Sequence, residues 1–254
     1  MKFENIRRLL SFARRAVDDY NMIEEGDKIA VGVSGGKDSL ALLAVMRDLS
    51  LFYPKKFTVC AITLDMGFCD GDFDTLERFY KELGIEYKIV KTKLAEIIFD
   101  VRKESNPCSL CARMRRGILH DTAKEMFCNK IALGHHFDDV VETFVMNLFN
   151  EGRIGTFSPV TYLDRKDITM IRPLVYAPEK DIKYFVKRSI LPVTESKCPE
   201  DKATDREKYK TLLAELEKDN DGLRHRIFCA IKKADVDGYG AKTPEHHGDL
   251  KENK

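Results

Sequence analysis

The chain has 254 residues, of which 43% are hydrophobic, enough for one α/β domain with a sizeable core or for two small ones. Its 43 lysines and arginines against 42 aspartates and glutamates leave a formal net charge of +1, so any nucleic-acid binding has to come from local basic patches. The N-terminal stretch has scattered arginines and no apolar core, and no later stretch approaches the roughly 18 consecutive apolar residues of a membrane span. We therefore expect a cytoplasmic protein without a membrane partner.

Strand and helix patterns alternate along the chain, which predicts a parallel sheet with helices on both faces. A helix is predicted within residues 1–24. Strands are predicted at 29–33, 57–64, 87–91, 130–134 and 168–171. Helices are predicted at 38–51, 73–83, 94–104, 110–127, 139–149, 179–188, 205–216 and 223–233. We expect one domain over 1–234, with a core sheet over 25–174, a helical C-terminal extension over 175–234, and a disordered polar tail over 235–254.

The first predicted strand ends in SGGKDS, residues 34–39, which leads directly into a helix. The run fails the Walker A pattern, because its glycine spacing is one residue too short. Gly35 and Gly36 nevertheless allow backbone N–H groups to approach a phosphate, the helix presents its positive end, and Lys37 adds a charge. The alternative is a glycine-rich turn with a solvated lysine and Asp38 as a helix cap. We predict an anion site.

A second polar segment, IALGHHFDDVVET at residues 131–143, ends the fourth predicted strand at Gly134. Asp138 and Asp139 then stand where carboxylates bind Mg²⁺ or cap a helix, and both interpretations stay open. Asp65 ends the second predicted strand at the same edge of the sheet. Arg172, in IRPL, either faces a phosphate or forms a surface ion pair.

The cysteines form an odd set, which disfavours a disulfide framework. Cys108 and Cys111 form a C-x-x-C pair in the first turn of a predicted helix, so their sulfurs share one face. The helix N-terminus and Arg113, Arg115 and Arg116 are expected to lower the pKa of both thiols. Such a pair is half of a zinc site, a redox pair or a chance occurrence, and the chain offers no second pair at metal-binding spacing. The other cysteines are solitary: Cys60, Cys69, Cys128, Cys198 and Cys229.

Four motifs in order, SGGKDS, CSLCARMRRGIL, LGHHFDDVVET and IRPL, resemble the tRNA 2-thiocytidine synthetase (TtcA-type) family of the PP-loop ATP pyrophosphatase superfamily. The resemblance implies an α/β fold of the adenine-nucleotide alpha-hydrolase-like (PP-loop) type. It implies an enzyme, a tRNA sulfurtransferase that adenylates the C2 carbonyl of an anticodon-loop cytidine and replaces oxygen by sulfur. The implied cofactors are ATP, Mg²⁺ and a 4Fe-4S cluster. The implied partners are tRNA, sulfide or a persulfide-carrying sulfur donor, and a second copy in a homodimer.

The resemblance also implies roles for individual residues. The cluster ligands would be Cys108, Cys111 and Cys198, which leaves one iron open to bind sulfide. The alternative is a zinc site that excludes Cys198. The implied catalytic residues are Lys37, Asp38 and Asp139, and Asp38 and Asp139 are also the implied Mg²⁺ ligands. The implied ATP-binding residues are Ser34, Gly35, Gly36, Lys37, Asp38, Ser39, Asp65, Gly134 and His135.

Other roles stay open at the level of the sequence. Asp38 either binds Mg²⁺ or transfers a proton. RNA binding is predicted for Arg113, Arg115 and Arg116, and RRLLSFARR near the N-terminus is a second candidate, although charged helix faces are usually only solvated. The competing functions are thiolation of a uridine, amine ligation as in lysidine synthesis, and non-catalytic ATP sensing.

Overall fold

A computed structural model describes residues 3, 5–68, 73–102, 107–194, 198 and 205–240. Its α-helices are α1 (Arg7–Asp19), α2 (Lys37–Phe52), α3 (Phe73–Leu83), α4 (Pro107–Glu125), α5 (Phe137–Glu151), α6 (Glu179–Ser189), α7 (Asp205–Lys218) and α8 (Leu223–Lys233). Its strands are β1 (Lys28–Gly32), β2 (Thr58–Asp65), β3 (Glu86–Lys91), β4 (Lys130–Ala132), β5 (Val160–Leu163) and β6 (Ile168–Ile171). None of the helices in this described part combines the length and the low charge that crossing a membrane requires.

The strands form one sheet in the order β3-β2-β1-β4-β6-β5. All neighbouring pairs are parallel except β5 and β6, which form an antiparallel hairpin at one edge. The predicted mainly parallel sheet is thus confirmed. The chain builds outward from β1 through β2 to β3 and then returns to the other side of β1, so the winding reverses between β1 and β4. Such a reversal opens a crevice at the carboxyl ends of the two strands, where α/β proteins bind ligands.

The two faces of the sheet are covered unequally. Side chains alternate along β1, so that Val31 belongs to the large core with α1, α2, α3, α5 and α6, while Ala30 belongs to a smaller core on the opposite face. The smaller core is covered by α4, which contributes Leu119 and Ala123. Because α4 connects the carboxyl end of β3 to the amino end of β4, its first turn lies at the same edge as the crevice.

Several predicted elements differ from the observed ones for local reasons. The helix predicted at 94–104 is mainly a π-helix, Glu96–Arg102, and Glu104 lies outside the described residues. Strand β5 was missed because four residues carry too short an alternation to detect. Helix α5 begins at Phe137 rather than at 139, because the side chain of His136 caps it.

The predicted disordered tail begins too early. Residues Val236–Gly238 form a 3-10 helix, and Tyr239 is completely buried against Phe228, with 5.7 Å between the ring centroids. The hydroxyl of Tyr20 also donates to the carbonyl of Tyr239 at 3.2 Å. Burial of one large aromatic ring therefore fixes residues that look polar and glycine-rich in the sequence. The remainder of the predicted tail, 241–254, lies outside the described residues.

Candidate functional site

The loop between β1 and α2 closes on itself through its two serines. The hydroxyl of Ser39 donates to the carbonyl of Gly36 at 2.9 Å and accepts from the backbone N–H of Ser34 at 3.1 Å. Gly35 has a φ of +83°, in the left-handed region that glycine occupies without strain. The loop is therefore held in one tight shape at the N-terminus of a 16-residue helix, where backbone N–H groups and the helix dipole favour an anion.

Lys37, in this loop, is paired with two carboxylates. Its Nζ lies 2.8 Å from Asp38 Oδ2 and 3.0 Å from Glu179 Oε1. Burial would lower the pKa of Lys37, but the hydrogen bonds to Asp38 and Glu179 raise the pKa above its ordinary value. A phosphate that reaches Lys37 therefore competes with two anions already in contact with it.

Glu179 is a residue that sequence reasoning missed. Glu179 begins α6, where the sequence alone indicates only a residue that is favourable at a helix N-terminus, and the fold places it beside the glycine loop. Its carboxylate also contacts Lys183 at 2.9 Å and Lys210 at 3.3 Å. Burial would raise the pKa of Glu179, but hydrogen bonds from Lys183 and Lys37 lower this pKa to about 2. The carboxylate is therefore ionised at neutral pH and holds three lysines together.

The GHHFDD segment meets the loop across the crevice. A Cβ on Gly134 would lie 3.1 Å from the carbonyl oxygen of Asp38 and the backbone nitrogen of Ser39, so a larger residue would push the two segments apart. His136 caps α5, accepting from the N–H of Asp139 at 3.4 Å, and its own N–H donates to Asp139 Oδ2 at 2.8 Å. The Nε2 of His136 lies 3.8 Å from Asp38 Oδ1. The two predicted motifs thus form one site.

The aspartates of this site differ in how much of their hydrogen-bonding capacity is used. Asp139 is bound by His136, and its Oδ1 lies 3.4 Å from Arg206. Burial would raise the pKa of Asp139, but His136 and Arg206 hold it below its ordinary value. Asp38 Oδ1 is buried and receives no hydrogen bond from the described residues. Asp38 therefore has an oxygen available for a cation, whereas the carboxylate of Asp139 is already engaged.

Asp138 has a structural role that the sequence left open. Its Oδ2 accepts a hydrogen bond from the backbone N–H of Glu179 at 2.7 Å, and its Oδ1 lies 3.5 Å from Arg224. Helix capping, one of the two interpretations, is thus observed, but the capped helix is α6 rather than the helix that contains Asp138.

His135 and Arg172 lie on Phe157. The ring centroids of His135 and Phe157 are 4.7 Å apart, and the Arg172 guanidinium carbon lies 5.2 Å from the Phe157 centroid. Burial lowers the pKa of His135 to about 4, so its ring is neutral at pH 7. Arg172 is only 6% exposed and donates to the carbonyl of Ser158 at 2.6 Å. A surface ion pair, one of the two interpretations of Arg172, is therefore wrong.

Asp65 ends β2 at the carboxyl edge of the sheet, as predicted. Its Oδ1 accepts from the N–H of Gly67 at 2.9 Å, and its backbone carbonyl accepts from the N–H of Thr92 at 3.0 Å. The carboxylate thus shapes the turn that leaves β2, and this turn is attached to the end of β3.

The C-x-x-C pair lies at the start of α4, with Cys108 exposed and Cys111 half-buried. Burial raises the pKa of the Cys111 thiol, as do the nearby thiols of Cys198 and Cys108, whereas Arg115 lowers it. The expectation of a lowered pKa is therefore wrong for Cys111, because burial and the neighbouring thiols outweigh the arginine. The thiols of Cys198 and Cys108 therefore both lie close enough to Cys111 to act on its thiol electrostatically.

The segment that leads to Cys198 is attached to the glycine loop. The backbone N–H of Thr194 donates to the carbonyl of Gly35 at 3.0 Å. A Cβ on Gly35 would collide with Thr194 Oγ1. Because four residues span at most about 14 Å, Cys198 is tethered within that distance of Thr194. Thr194 is a second contact that the sequence did not reveal, since nothing local in TESKC indicates the loop.

Three thiols suit a soft metal centre such as an iron-sulfur cluster, since thiolates are the usual ligands of such clusters. The described residues contain no ready-made group of three or more His, Cys, Asp or Glu side chains that could hold a metal ion. The three sulfurs therefore do not point at one common centre. Chemistry and neighbourhood therefore fit a cluster, and binding would require the thiols to turn toward it.

The remaining cysteines lie elsewhere. Cys60 and Cys128 are buried, with their sulfurs 3.3 Å apart. Cys229 is half-buried on α8, and Cys69 lies outside the described residues. The predicted RNA-binding arginines Arg113, Arg115 and Arg116 are exposed on α4, in the turns that follow the C-x-x-C pair.

The chain matches the PP-loop domain family over residues 5–215. It is 39% identical to the tRNA-cytidine(32) 2-sulfurtransferase of Syntrophotalea carbinolica over 89% of this chain and 88% of that protein. It is 41% identical to the protein of the same name from Geotalea uraniireducens over 85% and 87% of the two chains. Among solved structures it resembles the U34-tRNA thiolase NcsA from Methanococcus maripaludis with its [4Fe-4S] cluster, with a TM-score of 0.72, 28% identity, and coverage of 88% of this chain and 77% of that one.

Proposed function

Because the chain belongs to the PP-loop domain family, and to the tRNA-cytidine(32) 2-sulfurtransferases within it, we propose that it converts cytidine 32 of tRNA to 2-thiocytidine with cleavage of ATP to AMP and pyrophosphate. The observation that carries the proposal is the hydrogen bond from Thr194 to Gly35, which ties the segment of Cys198 to the glycine loop. One base can then meet both an activated phosphate and a sulfur source.

The glycine loop is the proposed site of the ATP phosphates. Its closed shape and its position at the start of α2 support binding of the pyrophosphate portion. We assign ATP binding to Ser34, Gly35, Gly36, Lys37, Asp38, Ser39, Asp65, Gly134 and His135. The neutral ring of His135 suits a contact with the nucleoside rather than with a phosphate, because it carries no charge at pH 7.

The first chemical step is adenylation of the base. The cytosine O2 attacks the α-phosphorus, a bond forms between that oxygen and the phosphorus, and the bond to the β-phosphate oxygen breaks. Lys37 and the loop N–H groups stabilise the charge that develops on the leaving pyrophosphate. Asp38, whose buried Oδ1 accepts no hydrogen bond from the described residues, is the better candidate for holding Mg²⁺, and Asp139 orients His136 beside it.

The second step replaces AMP by sulfur. A sulfide equivalent adds at C2, AMP leaves with the former carbonyl oxygen, and loss of a proton gives the thiocarbonyl. A 4Fe-4S cluster bound by Cys108, Cys111 and Cys198 would supply an iron with an open coordination position for sulfur. Sulfide or a persulfide carrier as the donor, a cytoplasmic location and a homodimer remain predictions.

The second candidate is thiolation of a uridine, which the resemblance to a U34-tRNA thiolase favours. The two reactions share the same adenylation chemistry and differ only in the base. Amine ligation would require no cluster, and a sensor would bind ATP without turnover.

The test is nucleoside mass spectrometry of tRNA treated with the anaerobically reconstituted protein, ATP, Mg²⁺, sulfide and reductant. We expect 2-thiocytidine at position 32 from the wild-type protein and none from Lys37→Ala. Thiouridine would support the second candidate, and AMP production without any thionucleoside would exclude both.

A further inference from the structure

A groove lies between the first turns of α1 and α6, outside the site described above. It has a volume of about 1190 Å³ and is lined by, among others, Arg7, Arg8, Lys180 and Tyr184. Its floor is apolar, since Phe3 packs against Phe185 with 5.7 Å between the ring centroids. Both walls are therefore fixed to the core rather than being loose surface segments.

The groove carries uncompensated positive charge. Arg7 and Lys180 are exposed, and no described carboxylate lies within ion-pair distance of either. Arg8 does pair with Asp181 at 3.1 Å, yet 67% of its side chain remains exposed. The whole protein is nearly neutral, so the positive charge of this groove is a local concentration and does not reflect overall composition.

The first turn of α6 contributes both to the groove and to the candidate catalytic site. Glu179 contacts Lys37 of the glycine loop at 3.0 Å, and Lys180 and Asp181 are the next two residues of the same turn. Lys180 of the groove thus directly follows a residue that contacts the glycine loop.

We propose that this groove binds the phosphate backbone of the tRNA substrate, an inference that rests on the proposed function. In the proposed reaction one tRNA base has to reach the ATP bound at the loop. RNA backbone is an extended polyanion, and exposed arginine and lysine are its usual partners. Tyr184, which is exposed and has the Arg188 guanidinium 5.6 Å from its ring centroid, offers a face for a ribose or an unstacked base.

The experiment measures the dissociation constant of an unmodified tRNA transcript for the full-length protein at several KCl concentrations. The test variant is Arg7→Glu/Lys180→Glu. The matched control is Lys56→Glu/Arg165→Glu, which reverses one exposed lysine and one exposed arginine at the amino edge of the sheet, away from the loop. Circular dichroism and ATP affinity report whether each variant remains folded.

We expect the test variant to bind tRNA at least about tenfold more weakly. The slope of log K for tRNA binding against log KCl concentration should become shallower by about 1 to 2, about one unit for each lost phosphate contact. Its kcat at saturating tRNA should stay near the wild-type value, while its KM rises. Equal tRNA affinities and salt slopes for the two double variants would overturn the inference. A wild-type protein that binds tRNA without thiolating it would contradict the proposed function. A difference in salt slope between the two double variants would still support tRNA binding in the groove.

Discussion

The backbone N–H of Thr194 donates to the carbonyl of Gly35 at 3.0 Å, which joins two segments that are far apart in the sequence. Gly35 belongs to the glycine loop, and Thr194 lies four residues before the third thiol of the proposed cluster site. Because the backbones of the two residues are hydrogen-bonded to each other, a change at either one affects both the glycine loop and the segment that carries Cys198.

We expect Gly35→Ala to lower ATP affinity by about tenfold or more and to destabilise the protein. Left-handed backbone costs a non-glycine residue about 1–2 kcal/mol, and here the added Cβ also collides with Thr194 Oγ1. Calorimetric ATP titration and urea unfolding measure both effects.

Gly26→Ala provides the matched control, because Gly26 has a φ of +84° but no described atom within 4 Å of an added Cβ. It should show the backbone cost without the loss of ATP affinity. The double variant Gly35→Ala/Thr194→Gly should recover part of the affinity. If Gly26→Ala weakens ATP binding as much, the Thr194 contact is not responsible.

The thiols give a second prediction. Cys108→Ala, Cys111→Ala and Cys198→Ala should each lose most of their iron after anaerobic reconstitution and lower thiolation by at least about a hundredfold, because a ligand of the proposed cluster is removed. ATP affinity should stay at the wild-type value, since none of the three belongs to the glycine loop. Iron content and the absorption band at about 400 nm are the measurements.

Cys229→Ala is the control for these variants, because Cys229 is a half-buried thiol on α8, a helix that carries none of the three proposed ligands. It should retain full iron content and activity. Iron retained by Cys198→Ala would contradict the three-thiol assignment and favour a site confined to the C-x-x-C pair.

The sequence was sufficient where the signal is local and insufficient where the fold creates the contact. The glycine loop and the C-x-x-C pair are each contiguous, so their backbone and side-chain chemistry can be predicted without coordinates. Glu179 and Thr194 contact the loop only because α6 packs against α2 and the segment after α6 returns to Gly35, and neither residue type is unusual at its position. The raised pKa of Cys111 likewise depends on burial and on a thiol 87 residues away (198 − 111).

The exposed arginines of α4 give a third prediction. Arg115→Glu/Arg116→Glu should abolish product formation, because these cations lie beside the thiols where the RNA has to approach. Since Arg115 also acts on Cys111, iron content has to be measured in the same sample. Arg113→Glu/Arg116→Glu leaves Arg115 intact and should keep its iron while binding tRNA more weakly. Unchanged turnover in both variants would remove the arginines from the site.

A fourth prediction concerns nucleotide affinity. Glu179→Gln should strengthen ATP binding several-fold, because it removes one of the two carboxylates that compete with phosphate for Lys37. Titration calorimetry with ATP measures the change, and Glu207→Gln on exposed α7 surface is the control. Weaker ATP binding by the Glu179 variant would indicate that Glu179 positions Lys37 rather than competing for it.

The same substitution should lower stability in a pH-dependent way. The pKa of Glu179 falls from an ordinary 4.5 to about 2 in the folded protein, so its ionised form is stabilised by Lys183, Lys37 and Lys210. A carboxylate whose pKa is lowered by folding contributes stability at pH values above its pKa in the unfolded chain. This contribution is lost as the pH falls toward its pKa in the folded protein. We expect Glu179→Gln to cost about 1–3 kcal/mol of unfolding free energy at pH 7, and this difference from wild type to shrink between about pH 5 and pH 2. Urea unfolding at a series of pH values measures it, and a difference that stays constant as the pH falls would contradict the ionic origin of the stabilisation.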